Sequence, residues 1–188
     1  MQDFGPAAHF NLFLLRNFLD TDVCARLRAE MNSAPTTQAP VYIEGTPGVI
    51  HETIRKTTSL HPSDETFWDM HARIFQQKSS LEEHFGVSLN DCERPQFLRY
   101  EPGDFFVRHQ DGNTDQTDFD HLRVRRISIV VFLNDSFSGG TLNFYDDGPN
   151  TFELAGETGL FVAFRAETVH EVVPVASGQR FTMITWFR

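Results

Sequence analysis

The sequence predicts an α+β chain that is mainly β, with its helices on the N-terminal side. Three observations carry that prediction. Apolar residues recur at helical spacing in the first half of the chain, and after about residue 93 the period changes to alternation in short runs. Those runs are separated by EPGD, SGG, DDGPN, AGE and ASGQ, all of them turn-forming clusters.

The elements follow in order. The stretch Phe10–Leu15 is apolar, but it lacks a basic leader and is cut short at Arg16, so no secretory signal is expected. In FLDTDVCARLRAEMN, Asp20 or Thr21 serves as a cap, and Val23, Leu27 and Met31 recur every four residues, which predicts a short amphipathic helix. The stretch Ser33–Pro47, rich in Pro and Thr, reads as a loop. HETIRKTTSL reads as a strand. In SDETFWDMHARIFQQKSSLEEHFG, Ser63 or Asp64 caps, Phe67, Met70, Ile74 and Leu81 share a face, and Gly86 terminates, so this segment is predicted as the longest helix. Strands are predicted near Gln96–Tyr100, Phe105–Gln110, Ile127–Leu133, Thr141–Tyr145, Thr151–Leu154, Gly159–Phe164, Thr168–Val175 and Phe181–Phe187. So many short strands require a closed or doubled sheet, as in a sandwich, barrel or jelly roll.

One domain over residues 1–188 is expected, with a helical support region at 1–92 and a β core at 93–188. A hydrophobic share of 40% and 19 Phe residues describe a packed chain and not a disordered one. The 16 Lys and Arg against 26 Asp and Glu give a net charge of −10, which argues against a broad phosphate-binding surface and so against nucleic acid as a partner. No run approaches the roughly 18 apolar residues of a membrane span, so no membrane partner is expected. Cys24 and Cys92 form no CxxC pair, and a soluble cytoplasmic protein in a reducing compartment is the expectation.

The chemistry centres on His109 and Asp111. Positions i and i+2 of a strand point to one face, so an imidazole nitrogen and a carboxylate oxygen are presented together. His170, near the start of a later strand, is a candidate third ligand beside its reading as a hydrogen-bonded histidine at a strand end, and two His with one carboxylate form the facial triad of non-haem Fe(II) oxygenases. Such a triad leaves positions open for a chelating keto acid and for O₂. Tetrahedral zinc accepts the same three ligands, so their identity alone does not select iron. The chain lacks GxGxxG, GxxxxGK[ST], GxSxG and HExxH signatures. The remaining histidines, His9, His51, His61, His71, His84 and His121, show no paired metal spacing and are assigned to surface or core.

Three segments, RPQFLRYEPGDFFVRHQD, RRISIVVFLNDSFSGGTLNFY and GLFVAFRAETVHEVVPVASGQRFTMITWFR, resemble in order and spacing the prolyl 4-hydroxylase-like branch of the Fe(II)/2-oxoglutarate-dependent dioxygenases. The resemblance covers most of residues 94–188. It implies a double-stranded β-helix, the cupin-like jelly roll, buttressed by helices. It also implies Fe(II), with 2-oxoglutarate and O₂ as cosubstrates and ascorbate as a reductant. The implied activity is hydroxylation of a C–H bond, first of a prolyl residue in a peptide or protein. Hydroxylation of a free amino acid or other small molecule is the alternative, and a non-catalytic jelly-roll metal- or ligand-binding module is a further one.

Carried over by position, His109, Asp111 and His170 correspond to the metal triad and Arg180 to the residue that pairs with the distal carboxylate of 2-oxoglutarate. A guanidinium fork suits that task. Tyr100 and Leu142 correspond to cosubstrate contacts. Alternation puts Arg180, Thr182, Ile184 and Trp186 on one strand face, with Thr182 offering a hydroxyl near Arg180 and Trp186 an apolar wall. Phe132 stands where some relatives carry a tyrosine, which removes a hydroxyl from the cosubstrate site. The carboxylate of Asp111 favours hydroxylation over halogenation, because halogenating members of the family have a small residue there. Arg55 and Lys56 are expected at the active-site mouth, and GNTDQTDFDHLRVRR reads as a lid or a surface loop.

Overall fold

The computed structural model describes residues 9–43, 46–112 and 120–188. Two antiparallel sheets face each other. The larger has the order β1 (Phe13–Leu15), β13 (Phe161–Arg165), β9 (Ile127–Phe132), β16 (Arg180–Phe187), β7 (Gln96–Tyr100), β6 (Thr58–Leu60) and β2 (Thr36–Gln38). The smaller runs β12 (Thr151–Leu154), β11 (Leu142–Tyr145), β14 (Val169–Val172), β8 (Phe105–His109) and β5 (Arg55–Lys56). Two ribbons complete the strands: β3 (Val41–Ile43) with β4 (Thr46–Val49), and β10 (Phe137–Gly139) with β15 (Val175–Gly178). The helices are α1 (Thr21–Ser33), α2 (Asp64–Phe75), α3 (Lys78–Phe85) and the short α4 (Asp120–Arg123).

Alternation along the central strands builds two cores from one sheet. On β16, Phe181, Met183 and Phe187 join Leu27, Met31, Met70, Ile74 and Leu81 of the helices in one cluster. On β9, Ile127, Ile129 and Val131 join that cluster, whereas Val130 and Phe132 meet Leu142, Phe144 and Val172 of the smaller sheet in the second. All six residues of β9 are therefore buried, which is why ISIVVF reads as a near-continuous apolar run. Phe97 is fully buried and packs edge-on against Phe67 of α2, with ring centroids 5.2 Å apart. Phe97→Ala is expected to lower stability by about 3–5 kcal/mol, read as a fall in the denaturant midpoint.

Local signals place the helix starts. The Asp20 carboxylate accepts from the Val23 N–H at 2.8 Å, and the Ser63 hydroxyl accepts from the Thr66 N–H at 3.3 Å. The segment expected to be the longest helix is divided, and α1, at 13 residues, is longer than α2, at 12. The Gln77 N–H donates to the Ile74 carbonyl at 2.9 Å, an i−3 bond that tightens the turn and ends α2. Nothing between Ile74 and Leu81 is buried, so no core contact holds one continuous helix across QQKSS.

The strands also differ from expectation: HETIRKTTSL, expected as one strand, forms β5 and β6 in different sheets, and Phe13–Leu15 forms β1 where no strand was expected. The run Thr168–Val175 splits into β14 and β15 around Pro174, which has no N–H for a ladder. Phe137–Gly139, within a turn cluster, pairs with β15 through a register shift. The stretch expected as a loop at Ser33–Pro47 contains β2, β3 and the start of β4; β2 is a fully exposed edge strand with no alternating apolar signal. The region expected as helical support thus also supplies the outer strands of both sheets, β1, β2 and β6 in one and β5 in the other.

Candidate metal centre and cosubstrate pocket

β8 and β14 are paired with His109 directly opposite His170, so cross-strand register sets the two imidazoles side by side, ring centroids 4.2 Å apart. Past the end of β8, the backbone N–H of Asp111 donates to the Ala166 carbonyl at 2.9 Å, and this turns the carboxylate towards both rings. Asp111 Oδ1 lies 3.3 Å from His109 Nε2, and Asp111 Oδ2 lies 3.6 Å from His170 Nε2. One donor atom from each of the three residues falls within 4.8 Å of the others, and this is the arrangement among the described residues that suits a metal ion. Asp111 thus faces both Nε2 atoms, and the three residues are grouped closely enough to offer ligands to one cation.

Each imidazole is aimed by its other nitrogen. His109 Nδ1 donates to the Val107 carbonyl at 2.8 Å and His170 Nδ1 to the Thr168 carbonyl at 2.9 Å, which assigns the Nε2 lone pairs to the centre. Burial disfavours the imidazolium of His170; the nearby His109 adds to that and Asp111 opposes it, and the result is a pKa pushed down to about 4. His170 is therefore neutral and ligand-ready at neutral pH. Burial alone raises the Asp111 carboxyl, but the two histidines and its hydrogen bonds hold it far below the usual carboxylate range. Ser128 donates to Asp111 Oδ2 at 2.7 Å, and the Trp186 indole N–H faces the same carboxylate without closing to hydrogen-bond geometry.

A second layer supports this centre. Arg125 grips Glu93 bidentately at 2.9 and 2.7 Å, donates to the Asp111 carbonyl at 3.3 Å, and lies 3.6 Å over the Trp186 ring. A Cβ at Gly112 would meet the Leu122 carbonyl at 2.2 Å, so only glycine lets the chain carrying α4 pass so close. Sequence reasoning missed Glu93, Arg125 and Ser128. Only Ser128 left a signal, as the lone hydroxyl in the apolar run ISIVVF.

The same cavity, about 740 Å³ in volume, is lined by the three triad residues, by Arg180, Tyr100, Thr182, Leu142 and Trp186, and by Arg55, whereas Lys56 pairs with Asp104 instead. Arg180 is 1% exposed, opposite Tyr100 across the β16–β7 pair. Its guanidinium lies 4.9 Å from both the Tyr100 and the Phe132 ring, and Nη1 donates to Thr182 Oγ1 at 3.2 Å. Phe132 thus gives the cation a ring face, and Thr182 gives it the hydroxyl. Burial draws the Arg180 pKa down to about 10, and Nε has no hydrogen-bond partner. No carboxylate among the described residues pairs with Arg180, so a buried cation is left for an anion, and the far carboxylate of a dicarboxylate fits. A Cβ at Gly140 would come within 3.1 Å of Arg180 Cδ, so this glycine of the SGG turn leaves room for the arginine stem. Leu142 and Trp186 contribute apolar walls.

Four of the other histidines have partners of their own, His9 with Asp146, His61 with Thr37, His51 with Thr53 and His71 with the Cys92 carbonyl, and His84 packs against Phe13 and Phe85. The lid reading of GNTDQTDFDHLRVRR falls in part on residues 113–119, outside the described residues; Leu122 and Arg125, later in the same segment, line the cavity. Cys24 and Cys92 are free thiols, and burial pushes each pKa up to about 11. Both should resist iodoacetamide at pH 8 in the folded protein and react once it is unfolded, read by intact mass. Among the described residues, no helix is long and apolar enough to cross a membrane.

Facing antiparallel sheets that hold two histidines, a carboxylate and a buried unpaired arginine in one cavity define a facial-triad jelly roll. Residues 95–188, half of the chain, match the family model of the 2OG-Fe(II) oxygenase superfamily, and the chain belongs to that superfamily. A PKHD-type hydroxylase of Cupriavidus pinatubonensis is 33% identical over 98 residues, covering 50% of this chain and 42% of the relative. The chain thus spans less than half the length of that curated relative. A Pseudomonas putida prolyl-4-hydroxylase structure shares the fold with a TM-score of 0.74 at 24% identity, covering 97% of this chain and 94% of that one. A Trichoplax adhaerens prolyl hydroxylase, in complex with a hypoxia inducible factor peptide fragment, shares it with a TM-score of 0.74 at 15% identity, covering 96% and 84%.

Proposed function

We propose that the chain is an Fe(II)- and 2-oxoglutarate-dependent dioxygenase that hydroxylates a C–H bond of a prolyl residue in a peptide or protein. The observation that carries the reading is one cavity with two opposed kinds of binding group: the His109, Asp111 and His170 cluster, and the buried, unpaired Arg180. Bound at that cluster, Fe(II) supplies the activation of O₂ that couples oxidative decarboxylation of 2-oxoglutarate, to succinate and CO₂, with hydroxylation of the substrate.

The protein's part is positioning and exclusion. His109 and His170 turn their Nε2 atoms to the centre because backbone carbonyls hold their Nδ1–H groups. Ser128 and Arg125 keep Asp111 in place. Arg180 pairs with the distal carboxylate of 2-oxoglutarate while Tyr100 and Phe132 box its guanidinium and Thr182 orients it. Leu142 and Trp186 keep water from the cosubstrate. Ascorbate acts as an accessory reductant, and the whole of residues 1–188 works as one catalytic unit; strands from both sides of residue 92 pairing in the same two sheets support the latter. The two free, buried thiols support a reducing, cytoplasmic setting.

The prolyl assignment draws support from the relatives' names, and hydroxylation of a free amino acid is its alternative. The test is an anaerobic absorption titration of metal-free protein with Fe(II) and 2-oxoglutarate. A visible charge-transfer band that needs both additions is the expected result, and a folded, metal-binding protein without the band ends the oxygenase reading. A prolyl peptide panel, scored by mass for the gain of one oxygen atom, then tests the substrate.

A further inference from the structure

The cavity holds a second buried guanidinium. Arg55 lies on β5 of the smaller sheet, whereas Arg180 lies on the larger, and both line the same space. Arg55 is 7% exposed, and its Nη1 donates to the Pro40 carbonyl at 3.1 Å. Its Nε and Nη2 are buried with no hydrogen-bond partner, and it pairs with no carboxylate among the described residues. These two nitrogens form one edge of the guanidinium, the edge that meets a carboxylate through two parallel N–H···O bonds.

Position ties this edge to the metal cluster. Arg55 stands opposite Phe106 in the β5–β8 register, and its guanidinium lies 4.9 Å from the Phe106 ring. Phe106 in turn stacks on the His109 imidazole, centroids 3.6 Å apart and planes within 17°. One phenyl ring therefore touches both Arg55 and a residue of the proposed centre. A neutral carbonyl at Arg55 would leave the buried charge uncompensated. A dianion would need more cations than are present, because the neighbouring Lys56 is engaged with Asp104 at 3.1 Å. The site fits a single carboxylate.

We infer that the substrate carries a carboxylate, held side-on by Nε and Nη2 of Arg55, so that 2-oxoglutarate and substrate are anchored on opposite sheets by separate arginines. The inference rests on the proposed function. The carboxylate has two possible sources, a free amino acid or an acidic residue beside the oxidised one in a peptide.

The test uses ¹⁵N-labelled protein loaded with zinc(II), which is redox-inert, and saturating 2-oxoglutarate. The Arg55 Nε–H resonance, assigned by its loss in Arg55→Lys, is expected to shift with acetate and not with acetamide. No shift with acetate, or equal shifts with both probes, overturns the inference. L-proline binding about tenfold or more tighter than acetate assigns the free amino acid, and a capped prolyl-glutamyl dipeptide amide doing so assigns the acidic peptide. Neither exceeding acetate removes the site from substrate binding. The Fe(II) and 2-oxoglutarate band of the wild-type protein is recorded alongside. Its absence refutes the parent reading, whereas its presence with an unresponsive Arg55 refutes this inference alone.

Discussion

His170→Ala is expected to abolish the charge-transfer band with Fe(II) and 2-oxoglutarate and to weaken divalent-metal binding by at least about 100-fold. Loss of a residue that merely orients a ligand costs about 10–100-fold in affinity, and His170 offers a donor atom itself. The offered atom is well defined, because the Thr168 carbonyl fixes the tautomer and burial keeps the ring neutral at working pH. His170 also packs edge-on against Phe164, centroids 4.7 Å apart, so the alanine variant leaves a small cavity in the core between the sheets. Asp111→Asn provides a nearly isosteric second variant, which removes the negative charge and should weaken metal binding too. The two variants are compared by calorimetric metal titration, after circular dichroism has established that each is folded. Wild-type affinity in both would remove the cluster as a metal centre.

Arg180→Met is expected to raise the 2-oxoglutarate concentration at half-maximal band by about 100-fold, with Fe(II) affinity unchanged. A charge-assisted hydrogen bond contributes about 1.5–3 kcal/mol, and every 1.4 kcal/mol is tenfold in affinity. Arg180→Lys keeps the charge and loses the fork, so an intermediate loss of about tenfold is expected. A second readout separates anchoring from structure. The guanidinium is 1% exposed and unpaired by any carboxylate among the described residues, so replacing it with methionine relieves an uncompensated buried charge. The ligand-free methionine variant should melt no lower than wild type while losing the stabilisation that 2-oxoglutarate confers on it. A lower melting temperature with an unchanged 2-oxoglutarate response would make Arg180 a structural residue.

Much of the fold was legible where the signal is local. Ser63 and Gly86 bound the helical segment as read, and the alternation Arg180, Thr182, Ile184, Trp186 faces the cavity. Elements whose existence depends on a partner were not legible. β2 has no apolar period and forms because β6 offers an edge, and β10 forms from turn residues because β15 lies beside it. The break between α2 and α3 is equally a tertiary matter, since only the absence of a buried residue between Ile74 and Leu81 releases the chain there.

The site divides in the same way. Residue types and spacing alone nominated His109 and Asp111, because strand geometry is a property of neighbours in sequence. His170 and Arg180 were reachable through the family pattern. Ser128, Glu93 and Arg125 were not, because their roles come from contacts between segments 17 and 32 residues apart. The sequence by itself determined which chemical groups the chain carries and the strand faces on which they alternate. The tertiary structure alone decided which of them meet and which are left without partners: closing two sheets over one cavity excludes water from Arg55 and Arg180, and exclusion from water turns an ordinary arginine into a site that requires an anion.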